Sequence, residues 1–284
     1  MNKLIRNLIA KIPIDALANP DPVVAVLPLE GVIGTSGRFS NAINLSNLED
    51  KIKAAFDIYN VKAVALSINS PGGSPVQSEL IVKRIRELSE EKEIPVYAFA
   101  EDVAASGGYM LALAGEEIYA HKASIVGSIG VISAGFGYPE AIEKLGIERR
   151  VYTAGESKSL MDPFKPEVEK DVKMMKTLLK EVHGFFKEFV KEARGDKLKD
   201  VKKNIFSGQV WNGEEATKIG LIDGVGDMRS IMKEKLGEDV KFKRLKDEKG
   251  FFKGLLGVHR PNVSIAEDVI KTIETRGEWG KYGL

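Results

Sequence analysis

Two glycine-rich turns carry the residue types best suited to chemistry: Asn69-Ser70-Pro71-Gly72-Gly73 and Ala105-Ser106-Gly107-Gly108. Each follows an apolar run and precedes a stretch patterned as a helix. In the first turn Pro71 fixes its own φ and pushes Ser70 away from helical backbone. Gly72 and Gly73 tolerate positive φ and close backbone approach. Ser74-Pro75-Val76-Gln77 then reads as a capping box with proline at the first helical position. Peptide N–H groups left unpaired at such a turn suit a negative charge developing on an oxygen. The second turn repeats the pattern with Ser106 at the junction. A serine there caps a helix by default. With its hydroxyl free beside the Gly107 N–H it is instead a nucleophile, and the two turns together are fit for acyl transfer or hydrolysis.

A serine attacks at neutral pH only with a base at hand. The chain has three histidines, His121, His183 and His259. His121 ends a strand-like run beside Lys122, His183 falls in a long amphipathic stretch and His259 in the tail. None stands in an evident triad setting with an orienting carboxylate. The second candidate is a lysine whose pKa is depressed by burial or a positive neighbour. Composition selects no lysine. One segment stands out, from Tyr152 to Phe164, in which Lys158 lies between Ser157 and Ser159. The chain has no cysteine, which excludes thiol catalysis, disulfides and Cys-ligated metal.

The elements that must position these residues follow from periodicity. Strands are expected at 23–27, 61–69, 95–100, 116–120 and 149–153, with a glycine-interrupted strand region at 125–132. Helices are expected from Ser46 to about Tyr59, then at 75–91, 107–114, about 138–145 and near 213–220. A long amphipathic helix is expected from Pro166 to Arg194. Alternation on this scale argues for an α/β fold with a mostly parallel sheet. The division expected is an N-terminal arm over 1–22, a main domain over 23–240 and a tail over 241–284. The tail holds an apolar patch at 251–257 and a candidate last helix at 265–275.

Hydrophobic residues make up 43% of the chain and charged residues 29%, a soluble globular balance. The formal net charge of +1 gives no electrostatic case for nucleic acid binding. No apolar run reaches 18 residues, so no membrane-spanning helix is expected, and no signal peptide is seen. Leu4, Ile5, Leu8, Ile9 and Ile12 fall on one helical face, with Lys3, Arg6 and Lys11 elsewhere. Residues 1–12 are therefore a candidate for peripheral contact with an anionic membrane, against packing on the domain itself or on a partner subunit.

From Val23 to Gly226 the chain resembles the signal peptide peptidase A-type serine peptidases, the Ser-Lys dyad peptidases of family S49. The residues that carry the resemblance include Asn-Ser-Pro-Gly-Gly73, Asp-Val-Ala-Ala-Ser-Gly-Gly-Tyr109, Gly-Ser-Ile-Gly-Val-Ile132 and Gly-Glu-Ser-Lys-Ser-Leu-Met-Asp-Pro-Phe164, continuing to Gly213-Glu-Glu-Ala-Thr-Lys-Ile-Gly-Leu-Ile-Asp223. The resemblance implies a caseinolytic-protease/crotonase-like spiral of βαβ units with a long oligomerisation helix. It implies that Ser106 attacks the scissile carbonyl, that Lys158 takes its proton and that the Gly73 and Gly107 amides hold the oxyanion. It further implies an ATP-independent endopeptidase without cofactor or metal. The expected assembly is a homo-oligomer, in which the lysine can come from a neighbour. The substrates implied are signal peptide remnants and other unfolded chains. Better-known members carry an N-terminal membrane anchor, whereas only the amphipathic arm is seen here. The chain thus looks like a short, anchorless bacterial variant, cytoplasmic or peripheral on the inner membrane. Two alternatives stand beside this reading. One is a crotonase-like acyl-CoA enzyme using the same oxyanion hole, with Glu101 and Asp102 near in sequence; the other is a non-catalytic oligomeric scaffold.

Overall fold

The computed structural model describes residues 20–34, 42–199, 204–246, 277, 279, 280 and 282. Residues 1–19 of the N-terminal arm, the apolar patch over 251–257 and the helix expected at 265–275 lie outside the described residues. Strands β1 (Val23–Glu30), β2 (Val61–Ser70) and β3 (Val96–Ala105) form the centre of the sheet. All three run parallel and in neighbouring positions. Their side chains alternate between two buried layers. Val24, Val26, Ala63, Ala65 and Phe99 join Met232 and Val240 on one face. Ala25, Leu27, Leu29, Leu66 and Ile68 meet Ile81 and Ile85 on the other. Burial on both faces explains why these strands read as continuous apolar runs.

Helices α1 (Leu45–Phe56) and α2 (Pro75–Lys92) cover the second face. Ser74 caps α2 as expected, accepting the Gln77 N–H at 3.4 Å. Gln77 does not complete the box; its Oε1 accepts the Leu45 N–H at 3.0 Å and ties the start of α1 to α2. The helix expected from Ser46 starts one residue earlier, at Leu45. Asn44 is the cap of α1, and Glu49 pairs with Lys53 and Arg84.

Beyond β3 come α3 (Gly107–Ala112), β4 (Glu117–Ala120) and β5 (Ile125–Gly127). Then follow α4 (Pro139–Lys144), α5 (Glu169–Arg194), β6 (Val210–Asn212) and α6 (Gly213–Lys218). The chain ends its described core with β7 (Gly224–Val225), α7 (Met228–Leu236) and β8 (Lys241–Arg244). The sheet order is β6-β5-β3-β2-β1-β8, with β4 pairing both β3 and β7. Only the β5–β6 pair is antiparallel among the described strands. This is the mixed α/β, mostly parallel architecture expected. Three expectations are corrected. Arg149–Thr153 is not a strand; it is exposed and pairs with no strand among the described residues. The region expected as strand over 125–132 is regular only at β5. The sheet also continues past residue 240, because β8 pairs with β1 from Lys241 to Arg244.

A buried ion pair fastens α5 to this body. The Arg194 side chain, 2% exposed, places Nη1 2.7 Å from Asp223 Oδ2, and its Nε donates to the Gly220 carbonyl at 2.9 Å. Asp223 also accepts the Ile118 N–H at 2.8 Å and faces Lys197 at 2.8 Å. Burial pushes the Asp223 carboxyl up, but the hydrogen bonds from Arg194, Lys197 and Ile118 overcome it and hold it below its ordinary value. Asp223→Ala would leave a buried guanidinium uncompensated, an expected cost of about 3–5 kcal/mol in denaturant titrations. The lowered carboxyl stabilises the fold at pH values above the unfolded value of about 4 and ceases to do so as pH falls through the folded one. The stability difference between wild type and Asp223→Asn is therefore expected to shrink below about pH 4.

Candidate active site

Ser106 sits where β3 passes into α3, with φ 52 and ψ −122. That backbone conformation is strained for a residue with a Cβ, by about 1–3 kcal/mol, and the surroundings enforce it. The Ser106 N–H donates to the Gly127 carbonyl at 2.8 Å, and its own carbonyl accepts the Met110 N–H at 3.1 Å. The side chain does not cap α3. Among the described residues its Oγ makes no hydrogen bond, so the hydroxyl is held half-exposed on a sharp strand-to-helix turn. That is the geometry of a presented nucleophile rather than of a helix cap.

The Pro-Gly-Gly turn packs directly against it. A Cβ placed on Gly72 would stand 2.7 Å from Ser106 Cβ and 2.9 Å from the Gly107 nitrogen. A Cβ on Gly107 would stand 3.2 Å from the Gly73 nitrogen. Ile33 pins the turn from behind: its N–H donates to the Gly72 carbonyl at 2.8 Å, and its carbonyl accepts the Ser74 N–H at 2.9 Å. These bonds use the neighbours of Gly73 and leave the Gly73 N–H unpaired among the described residues, as is the Gly107 N–H. Two free donors thus stand side by side next to a free hydroxyl, the arrangement that stabilises a tetrahedral oxyanion. Gly73 has φ +139, and an added Cβ would lie 2.0 Å from the Ile33 carbonyl oxygen. Gly73→Ala must open the turn. If the turn holds the oxyanion, kcat is expected to fall about 10²–10³-fold with KM little changed, as steady-state kinetics would show.

Lys158 lies elsewhere. From residue 131 to residue 185 no residue is buried, and Lys158 is exposed within this arm. Its backbone closes a turn, with the Lys158 N–H donating to the Gly155 carbonyl at 3.2 Å. The arm has its own small framework. Arg149 pairs with Asp162 at 3.1 Å and lies 4.6 Å over the Phe164 ring. The Tyr138 ring lies tilted against Phe164 at 5.8 Å, and the Tyr138 N–H donates to the Pro163 carbonyl at 2.6 Å. Among the described contacts of this one chain, nothing joins the Lys158 amine to Ser106.

The histidines do not supply a base either. His183 Nε2 is 3.2 Å from the Ile129 carbonyl, where it ties α5 to the segment behind Ser106. His121 Nδ1 accepts the Ala123 N–H at 3.2 Å, and His259 lies outside the described residues. Sequence reasoning passes over Ser128, which follows Gly127 at the site and has φ 53, a left-handed backbone unusual for serine. It also passes over Ser70, whose buried Oγ donates to the Gly31 carbonyl at 2.6 Å and accepts the Gly72 N–H at 3.2 Å. The flanking glycines mark both as turn positions, but only the fold shows which hydroxyl is buried.

Comparison with known proteins bears on this constellation. The model of Peptidase family S49 matches residues 89–241, which contain Ser106 and Lys158. A Brucella abortus protein named Na(+)/H(+) antiporter NhaA is 44% identical over 276 residues, 92% of this chain and 37% of that relative. This chain therefore spans little more than a third of that protein. No helix among the described residues is long and apolar enough to cross a membrane. An Enterococcus faecium protein named for signal peptide peptidase SppA is 31% identical over 243 residues, 82% of this chain and 70% of the relative. A solved stomatin-specific protease bound to a substrate peptide is 18% identical, with a TM-score of 0.49 over 83% of this chain and 96% of that one. The family match covers more than half of the chain, and the Enterococcus relative is matched over most of its length. This chain belongs to peptidase family S49.

Proposed function

We propose that this protein is a serine endopeptidase that hydrolyses unfolded or membrane-released peptides, such as signal peptide remnants, by a Ser106–Lys158 dyad without ATP. The observation that carries the reading is the free Ser106 hydroxyl on a strained turn beside the two unpaired N–H groups of Gly73 and Gly107. Ser106 Oγ attacks the scissile carbonyl while its proton passes to the Lys158 amine. The carbonyl oxygen becomes an oxyanion and accepts from the Gly73 and Gly107 N–H groups. Collapse breaks the C–N bond, and the leaving amine takes the proton from the lysine ammonium. The Lys158 amine then deprotonates a water, which attacks the acyl-enzyme, and Ser106 recovers its proton as the acid leaves. Such a base contributes about 10²–10⁴-fold.

A lysine acts as a base near neutrality only when its amine is desolvated or set beside other cations. The segment that carries Lys158 exposes Phe136, Leu145, Ile147, Tyr152, Met174 and Leu178, apolar side chains that assembly could cover. The reading is therefore a homo-oligomer in which the arm of one copy docks on the next and brings Lys158 to that copy's Ser106. Residues 1–12, basic and apolar by sequence, are the segment proposed to touch an anionic membrane from the cytoplasmic side. A fluorophosphonate probe tests the nucleophile. An adduct on Ser106 by peptide mass spectrometry is expected, and an adduct on another serine or no adduct would overturn the assignment.

A further inference from the structure

Ser106 and Gly73 belong to different strand ends, and one side chain ties those ends together. Pairing of β2 with β3 runs regularly to Ile68 opposite Ala100 and resumes at Ser70 opposite Ala104. Between these pairs β2 contributes Asn69 alone, whereas β3 contributes Glu101, Asp102 and Val103. Extra residues on one strand bend it and re-aim the side chains beyond the bend. At the same place β3 changes its other partner, from β4 up to Ala100 to β5 from Val103 onward. The bulge is thus the corner that directs β3 toward Ser106.

Asn69 fills the gap. Its Oδ1 accepts the Val103 N–H at 3.2 Å, and its Nδ2 donates to Asp102 Oδ2 at 3.0 Å. Its carbonyl accepts the Gly31 N–H at 2.9 Å, holding β1 in register beside it. Ser124 Oγ donates to the Glu101 carbonyl from the β5 side. The chain runs on from Asn69 to the Gly73 donor and from Val103 to Ser106 and the Gly107 donor. The Asn69 amide therefore sets the spacing between the two halves of the site. An aspartate could still accept from Val103 but would face the Asp102 carboxylate as a like charge; an alanine would lose both bonds.

We propose that Asn69 is a positioning residue for the reaction, acting through the Asp102–Val103 bulge on the relative placement of Ser106 and the Gly73 N–H. The inference rests on the nucleophile and oxyanion reading above. It is tested on the full chain by the rate at which a fluorophosphonate labels Ser106. Asn69→Asp is expected to slow labelling and kcat on the order of 10²-fold with KM nearly unchanged, the scale of a misplacement of about 1 Å. Asn69→Asp/Asp102→Asn restores one donor and one acceptor with the polarity exchanged, and is expected to recover labelling to within a few-fold of wild type. Asp102→Ala changes an exposed position and keeps the fold whatever Asn69→Asp does. It is expected to cost about 5-fold, with faster hydrogen exchange at the Val103 amide. Wild-type labelling rates for Asn69→Asp, or failure of the double variant to recover a rate that Asn69→Asp loses, would overturn the proposal. Wild-type protein that is not labelled at Ser106 would instead overturn the nucleophile assignment, and the positioning role with it. Unchanged Val103 exchange in Asp102→Ala would show separately that there is no clamp.

Discussion

Ser106→Ala is expected to remove peptide hydrolysis, with kcat reduced by about 10⁶-fold when the nucleophile of a dyad is lost. The fold should survive. The Ser106 hydroxyl makes no hydrogen bond among the described residues, and the turn is held by backbone bonds to Gly127 and Met110. The thermal midpoint is therefore expected to hold or to rise slightly, as is common when a strained functional residue is replaced. Peptide-bond turnover by Ser106→Ala at even a hundredth of the wild-type rate would mean that another group attacks the carbonyl.

Lys158→Ala is expected to lower kcat to a similar background, because the serine then has no group to take its proton. Its structural cost is small, since the side chain is exposed in the single chain. The two variants differ in one respect. Ser106 remains in Lys158→Ala, so a highly reactive fluorophosphonate should still label it slowly, whereas Ser106→Ala should not label at all. Retention of wild-type activity in Lys158→Ala would place the base elsewhere.

Much of the scaffold is legible in the sequence because its strands are buried on both faces. Val61–Ser70 is rich in apolar residues, with Val61, Val64 and Ile68 β-branched, and the Pro-Gly-Gly turn after it announces its end. Periodicity carries β3 only as far as Ala100, because Glu101 and Asp102 break the apolar run. Those residues are the bulge, and the strand continues beyond them to Ala105. β8 escapes notice for a related reason: its sequence, Lys-Phe-Lys-Arg, is charged on the open side, and it pairs only with β1 at the sheet edge. Arg149–Thr153 misleads in the opposite direction, since Val151 and Thr153 favour a strand but no strand among the described residues pairs with them.

The site divides in the same way. Ser106, Gly107 and Gly73 are visible as local turn chemistry, and the fold brings them together. Lys158 has only a weak local signature, the two serines that flank it. A lysine between two serines on an exposed loop is ordinary, and what would make it a base is burial against a second copy, which no spacing within one chain encodes. The resemblance to a family points to it. The proposed assembly would cover apolar side chains that residues 131–185 expose in the single chain.

The most direct test mixes the two inactive variants. Ser106→Ala and Lys158→Ala subunits, dissociated and reassembled together in equal amounts, would form sites that take Ser106 from one variant and Lys158 from the other. If the base crosses the interface, random assembly makes about one site in four complete, and hydrolysis should return to about a quarter of the wild-type rate. A mixed assembly that forms, as shown by differently tagged subunits co-purifying, yet remains as inactive as either variant alone would contradict a dyad completed between copies.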